Sequence, residues 1–180
     1  MGLLALMLLH DSRRYTRQSK TGDFIPLKLQ DRSRWDAAKI DEGSRLLTEA
    51  LEKQSIGPYQ LQAAITALHA GAPNWDNTDW PQISALYRVL YDIHPTPVVR
   101  INQAVAMSYS GREREALKLL SQIEQELASR NYQPFYVAKS EIHARLGQTD
   151  EAKNALERAL TLSDNNAERN YLEQQLKSYG

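Results

Sequence analysis

Cysteine is absent from this chain of 180 residues. That absence removes disulfide scaffolds, thiolate metal sites and cysteine nucleophiles together, and it fits a reducing cytoplasm. Glycine and proline are scarce, at 8 and 7 residues, and no stretch is rich in both. Neither a flexible linker nor a fibrous repeat is therefore expected. An excess of one charge is also missing, since 22 Lys and Arg face 22 Asp and Glu. Such a balance argues against a domain built chiefly to hold a phosphate backbone. The opening run, Met1 to Leu9, stops at His10-Asp11 and is far too short to span a bilayer. It lacks the basic leading region and the small-residue cleavage site of a secretory signal. The expectation is a helix that is buried in a longer protein and begins here without a cap.

Chemical motifs are missing as well. His10, His69, His94 and His143 are scattered, and none has a ligand partner at i+3 or i+4. There is no glycine-rich phosphate loop, no nucleophile elbow and no dinucleotide fingerprint. Asn74, Asp76 and Asp79 share one loop, but without the spacing and glycine of a calcium loop. They read as turn and helix-cap residues. No enzyme activity, cofactor or metal is expected.

What is present is helical periodicity. Ala116, Leu120, Ile123 and Leu127 form one stripe over 112–129. Phe135, Ala138, Ile142 and Leu146 do so over 134–146, and Ala152, Leu156, Ala159 and Leu160 over 149–162. The segment 33–53 opens on a capping box, Ser33 to Asp36, and carries an apolar face of Leu46, Leu47, Ala50 and Leu51. Gly57-Pro58 opens another helix, with proline where its missing N–H costs nothing. Further helices are predicted at about 2–17, 58–70, 79–94, 97–110 and 165–178. Residues 18–30 alternate polar and apolar positions and predict a short extended or hairpin segment.

Two helix pairs repeat. Ala104, Gly111, Ala116 and Leu120 in the first correspond to Ser140, Gly147, Ala152 and Leu156 in the second, with Ala159 following. The period from Ala116 to Ala152 is 36 residues, against about 34 for a tetratricopeptide repeat. Small residues at 104/140 and 116/152 let antiparallel helices approach closely. Glycine at 111 and 147 ends the first helix of each pair in a conformation that side chains dislike. A degenerate third unit, Leu61–Ile65 with Ile83–Tyr87, precedes them across the long connection 71–78. The last helix suits a terminal cap. The fold expected is all-α: a tetratricopeptide-like helix-turn-helix array stacked as a right-handed superhelix, with about eight to nine helices.

Partner contacts have two candidate sites. Residues 1–35 hold seven bases and three acids, so the chain has a basic leading edge of Arg13, Arg14, Arg17, Arg32 and Arg34 on an acidic body. Trp75, Trp80, Tyr87 and Tyr91 lie in or just after the long connection, and the last three share a helical face. They fill the core between helices or form a partner surface; Trp35 reads as core.

Several longer stretches agree, in order, with one known family: Gly2-Leu-Leu-Ala-Leu-Met-Leu-Leu-His10-Asp-Ser-Arg-Arg14, Asp31-Arg-Ser-Arg-Trp-Asp36, Gly57-Pro-Tyr-Gln-Leu-Gln-Ala-Ala64, Asp79-Trp80 and Pro97-Val-Val-Arg-Ile-Asn-Gln-Ala-Val-Ala106. Over essentially its whole length the chain resembles the tetratricopeptide-like C-terminal extension of extracytoplasmic-function sigma factors. The resemblance implies a regulatory, cytoplasmic protein-interaction domain. Its partners would be the promoter-binding sigma domains of the same parent chain, RNA polymerase, or both. It implies no sequence-specific DNA binding by this chain and no membrane contact. Residues 1–56 would then be a helical segment linking to the sigma domains, with the repeats over 57–180 and the whole forming one compact unit. A free-standing scaffold and a small-ligand sensor with a pocket of Trp and Tyr residues are the competing readings.

Overall fold

A computed structural model describes residues 1–20, 22–53 and 56–179. Among these, ten α-helices account for the ordered structure, and no strand occurs beyond one isolated bridge, Gln18 to Phe24. The helices are α1 (Gly2–Asp11), α2 (Ala37–Glu52), α3 (Pro58–Gly71), α4 (Trp80–Ile93), α5 (Pro97–Tyr109), α6 (Glu113–Ser121), α7 (Glu124–Ser129), α8 (Gln133–Arg145), α9 (Thr149–Leu162) and α10 (Asn166–Lys177). Short 3-10 turns at Arg14–Thr16, Leu27–Leu29 and Arg32–Arg34 fill the α1–α2 connection. The chain forms two compact units, Met1–Pro95 and Thr96–Gly180.

In the first unit α1 packs on α2 and α3. Ala5, Leu6 and Leu9 meet Leu46, Leu47 and Ala63 in one buried cluster. Gly43 makes this approach possible, because a Cβ there would lie 2.9 Å from Leu9 Cγ and 3.2 Å from the Ala5 carbonyl. The sequence boundary at 56/57 falls inside this unit, since α3 packs against both helices that precede it.

The second unit holds the two repeats. Ala104, Ala116 and Ala152 are fully buried, and Ser140 is nearly so. Leu120, Leu156 and Ala159 are buried with them. Helices α5 and α8 end identically. At Gly111, φ +78°, the Gly111 N–H donates to the Ser108 carbonyl and the Arg112 N–H to Met107. At Gly147, φ +73°, the Gly147 and Gln148 N–H groups donate to Ala144 and His143. This pair of bonds defines a Schellman stop. Helix α10 closes the unit, its Leu172 buried against Leu156 and Ala159.

Three local expectations are corrected. The capping box at Ser33 does not form: Asp31 accepts the Ser33 N–H, and Asp36 caps α2 by accepting the Lys39 N–H. Backbone satisfaction by the nearer carboxylates leaves 33–36 as a turn. Residues 112–129 are two helices, broken at Gln122 and Ile123. Ile123 donates its N–H to Leu120, a tighter turn that keeps Ile123 and Leu127 in the same buried cluster. The first helix stops at Asp11 because Ser12 donates its hydroxyl to the Leu9 carbonyl and the chain tightens into a 3-10 turn at Arg14.

Candidate interaction surface

Helix α1 has two unlike faces. Gly2, Ala5, Leu6 and Leu9 are buried, while Leu3, Leu4 and Met7 stand 46%, 50% and 59% exposed. Met7 lies at i+4 from Leu3 and at i+3 from Leu4, so the three share the outer side of the helix. Leu8 is half-buried against the unit's core. Large apolar residues left in water on one helical stripe mark a contact face more often than a defect.

The five arginines of the basic edge divide by role. Arg13 is half-buried and donates to His10 Nδ1 at 3.2 Å. Burial, then the nearby Arg17, lowers its guanidinium to about 10. Arg17 donates to the His10 carbonyl at 2.6 Å, completing the end of α1. Arg32 spans 37 residues to donate to the His69 carbonyl, and also reaches the Ala72 carbonyl, both at 2.7 Å. It therefore caps the carbonyl end of α3, where the helix dipole favours a cation, and it lies over the Trp35 ring. Arg14 and Arg34 are exposed. Arg14 pairs with Asp11 at 3.4 Å; Arg34 stands near Asp31, whose carboxyl is held below its usual range first by the Ser33 hydroxyl. Arg14 and Arg34 can meet a partner without disturbing the fold, whereas Arg13 and Arg32 are built into it.

The aromatic residues separate similarly. Trp75 and Trp80 pack with ring centroids 4.6 Å apart, and Trp80 lies edge-on to His69 at 5.2 Å. Trp80 is buried, Trp75 half-buried, and the indole N–H of Trp80 donates to the Trp75 carbonyl. Burial, then Arg32 and Arg13, drives the His69 imidazole down to about 4. Tyr87 and Tyr91 are half-buried farther along α4, and burial raises the Tyr87 phenol to about 12. The tryptophans thus anchor the connection 72–79 to the end of α3. In that connection Asn74 accepts the Asn77 N–H and Asp79 the Gln82 N–H, so both are turn or cap residues. Trp35 is buried, its indole N–H donating to Thr16. Sequence reasoning did not find the capping role of Arg32 or the inclusion of His69, because both depend on partners 37 or more residues away or on ring stacking across a loop.

Among the described residues, no group of His, Cys, Asp and Glu is placed to hold a metal ion, and no helix is long and apolar enough to cross a membrane.

Residues 1–51 match a family of unknown function, DUF6596. The chain is 37% identical over 176 residues to an uncharacterized protein, R00370, of Rhizobium meliloti (strain 1021). The match covers 98% of this chain and 41% of that relative. The chain thus spans about two fifths of the length of the curated relative it matches. No solved structure matches the chain.

Proposed function

We propose that this chain is the regulatory, protein-interaction part of an extracytoplasmic-function sigma factor and acts in the cytoplasm through contact with the promoter-binding domains of its parent. The observation that carries the reading is the exposed stripe Leu3, Leu4 and Met7 on α1, with exposed Arg14 in the turn that follows the helix. An apolar stripe supplies affinity, while the adjacent cation orients an acidic partner. The motif resemblance supplies the identity of that partner. A relative more than twice as long accords with a parent of several domains.

The test measures binding between this chain and the separately expressed sigma domains. Leu4→Glu and Met7→Glu should each weaken the complex by roughly tenfold or more, because each buries a charge in an apolar contact. Their melting temperatures should stay near the parent value, since both side chains already face water. Undiminished binding by both variants overturns the reading.

A further inference from the structure

A second feature of the first unit lies apart from the α1 stripe. Helices α2, α3 and α4 and the connection 72–79 line an open, cleft-like cavity of about 650 Å³. Along α3 it is lined by Leu61 and Leu68 and by three short residues, Ala64, Ala67 and Gly71, at helical spacing. Its walls are aliphatic: Leu47 and Leu51 from α2, Leu86 from α4. Ala64 and Ala67 also pack on the α1–α2 core, and the space opens beside them toward α4. At Gly71 a Cβ would meet nothing within 4 Å. The polar end is formed by Asn77, Asp79 and Gln82. Among the described residues lining the cavity, Asp79 is the one that is charged.

We propose that this cavity binds a small amphiphile with an aliphatic body and a protonated amine head. Size, shape and charge each restrict the occupant. The volume lies within the range of about 300–1,000 Å³ typical of small-molecule sites, which are mostly apolar with few polar groups. An aliphatic chain matches walls that carry leucines and no aromatic ring. At the polar end the Asp79 carboxylate caps α4 by accepting the Gln82 N–H. The helix N-terminus offsets its negative charge only in part, so with two amides it favours a cationic, hydrogen-bonding head over an anionic one. The aromatic pocket expected for a sensor is not the site: Trp75 and Trp80 pack on each other and His69, and neither lines the cavity. The connection closing the polar end is the one Arg32 ties to α3 through the His69 and Ala72 carbonyls. Of the two carbonyls that Arg32 holds, that of Ala72 belongs to a residue lining the cavity. The inference stands independently of the sigma-factor reading.

The experiment titrates the full chain, carbon-13 labelled at its alanine methyl groups, with n-decylamine, 1-decanol and decanoate below their aggregation limits. The methyls of Ala64, Ala67 and Ala72 should shift saturably with decylamine, while those of Ala116 and Ala152 should not. Decanol should bind more weakly and decanoate most weakly. Asp79→Asn keeps a good helix cap and removes the charge, so it should loosen decylamine roughly threefold to fivefold and leave decanol unchanged. Gly71→Phe should fill the open space and abolish binding of both; Leu51→Trp, at an exposed wall position, does the same should the first variant not fold. Equal binding of decanoate and decylamine, survival of binding in the filling variants, or shifts spread evenly over both units would overturn the proposal. So would sedimentation showing that the cavity is covered by a second copy of the chain.

Discussion

Ser140 on α8 donates its hydroxyl to the carbonyl of Ala152 on α9, 2.8 Å away and fully buried. The bond joins the two helices at a buried contact where the second side chain is a methyl group. In the preceding repeat Ala104 occupies the position of Ser140 and Ala116 that of Ala152, both fully buried. Close approach therefore needs small side chains, and the hydroxyl adds to it in one repeat only. Ala152→Glu should destabilise the chain by about 3 kcal/mol or more, because it places an unpaired charge in that contact. Ser140→Ala should cost only about 1 kcal/mol, since the Ala152 carbonyl keeps its own helical position. Urea unfolding of both variants checks the order of the two effects.

Gly111 and Gly147 hold left-handed backbone, and a Cβ at either would meet nothing within 4 Å. The penalty for a side chain is thus conformational, not steric crowding by neighbours. Gly111→Ala and Gly147→Ala should each cost about 1–2 kcal/mol. Asn at either position, a residue that tolerates this region, should recover part of the loss; Asn131, φ +50°, already occupies such a stop after α7. Thermal melts of the four variants decide the matter.

Histidine protonation should weaken the first unit. Burial first, then neighbouring arginines, lowers both His10 and His69 from 6.5 to about 4. The unfolded chain takes up these protons near pH 6.5 and the folded chain near pH 4, so stability is full above 6.5 and falls as pH drops through that window. His10→Gln and His69→Gln should each flatten the slope of stability against pH between about pH 5 and pH 7. An unchanged slope in both variants would place the histidines outside the linkage.

Arg32 should be more sensitive than its charge implies. Its two short bonds to the His69 and Ala72 carbonyls use one guanidinium nitrogen, while a second nitrogen reaches Thr78 at 3.3 Å. A lysine ammonium carries the charge but not the planar fork. Arg32→Lys should therefore cost roughly 1–2 kcal/mol, and Trp fluorescence should change as the Trp75–Trp80 pair loosens. Exposed Arg34→Lys should change neither quantity.

Promoter DNA offers a further check on the proposed role. The charge balance of 22 against 22, with Arg13, Arg17 and Arg32 of the basic edge bonded to the chain itself, leaves little local excess of positive charge for phosphates. The chain alone should show only weak, salt-sensitive DNA retention. Tight, sequence-selective binding at physiological salt would contradict the regulatory assignment.

Periodic and small-residue patterns acted locally, and so were legible. Stripes such as Phe135, Ala138 and Ile142 specify a helix face whatever surrounds it, and all three are buried. The glycines at 111 and 147 announce a left-handed stop because no other common residue enters that conformation so easily. The break at Gln122 and Ile123 was illegible: no glycine or proline marks it, and only the shared cluster around Leu120 and Leu127 decides where the chain tightens.

By itself, the sequence determined the all-helical class, the repeat spacing, the closing glycines and the residues at the close helix contacts, because each depends on neighbours within a few turns. Tertiary structure decided which side of α1 faces water, since Leu4 and Leu6 look alike until α2 and α3 cover one of them. It turned Arg32 into a helix cap and Arg34 into a surface charge, though they are two residues apart. It also opened the cavity beside Gly71, because empty space is set by how far three helices stand apart. Pattern fixes what can be buried; packing selects what is.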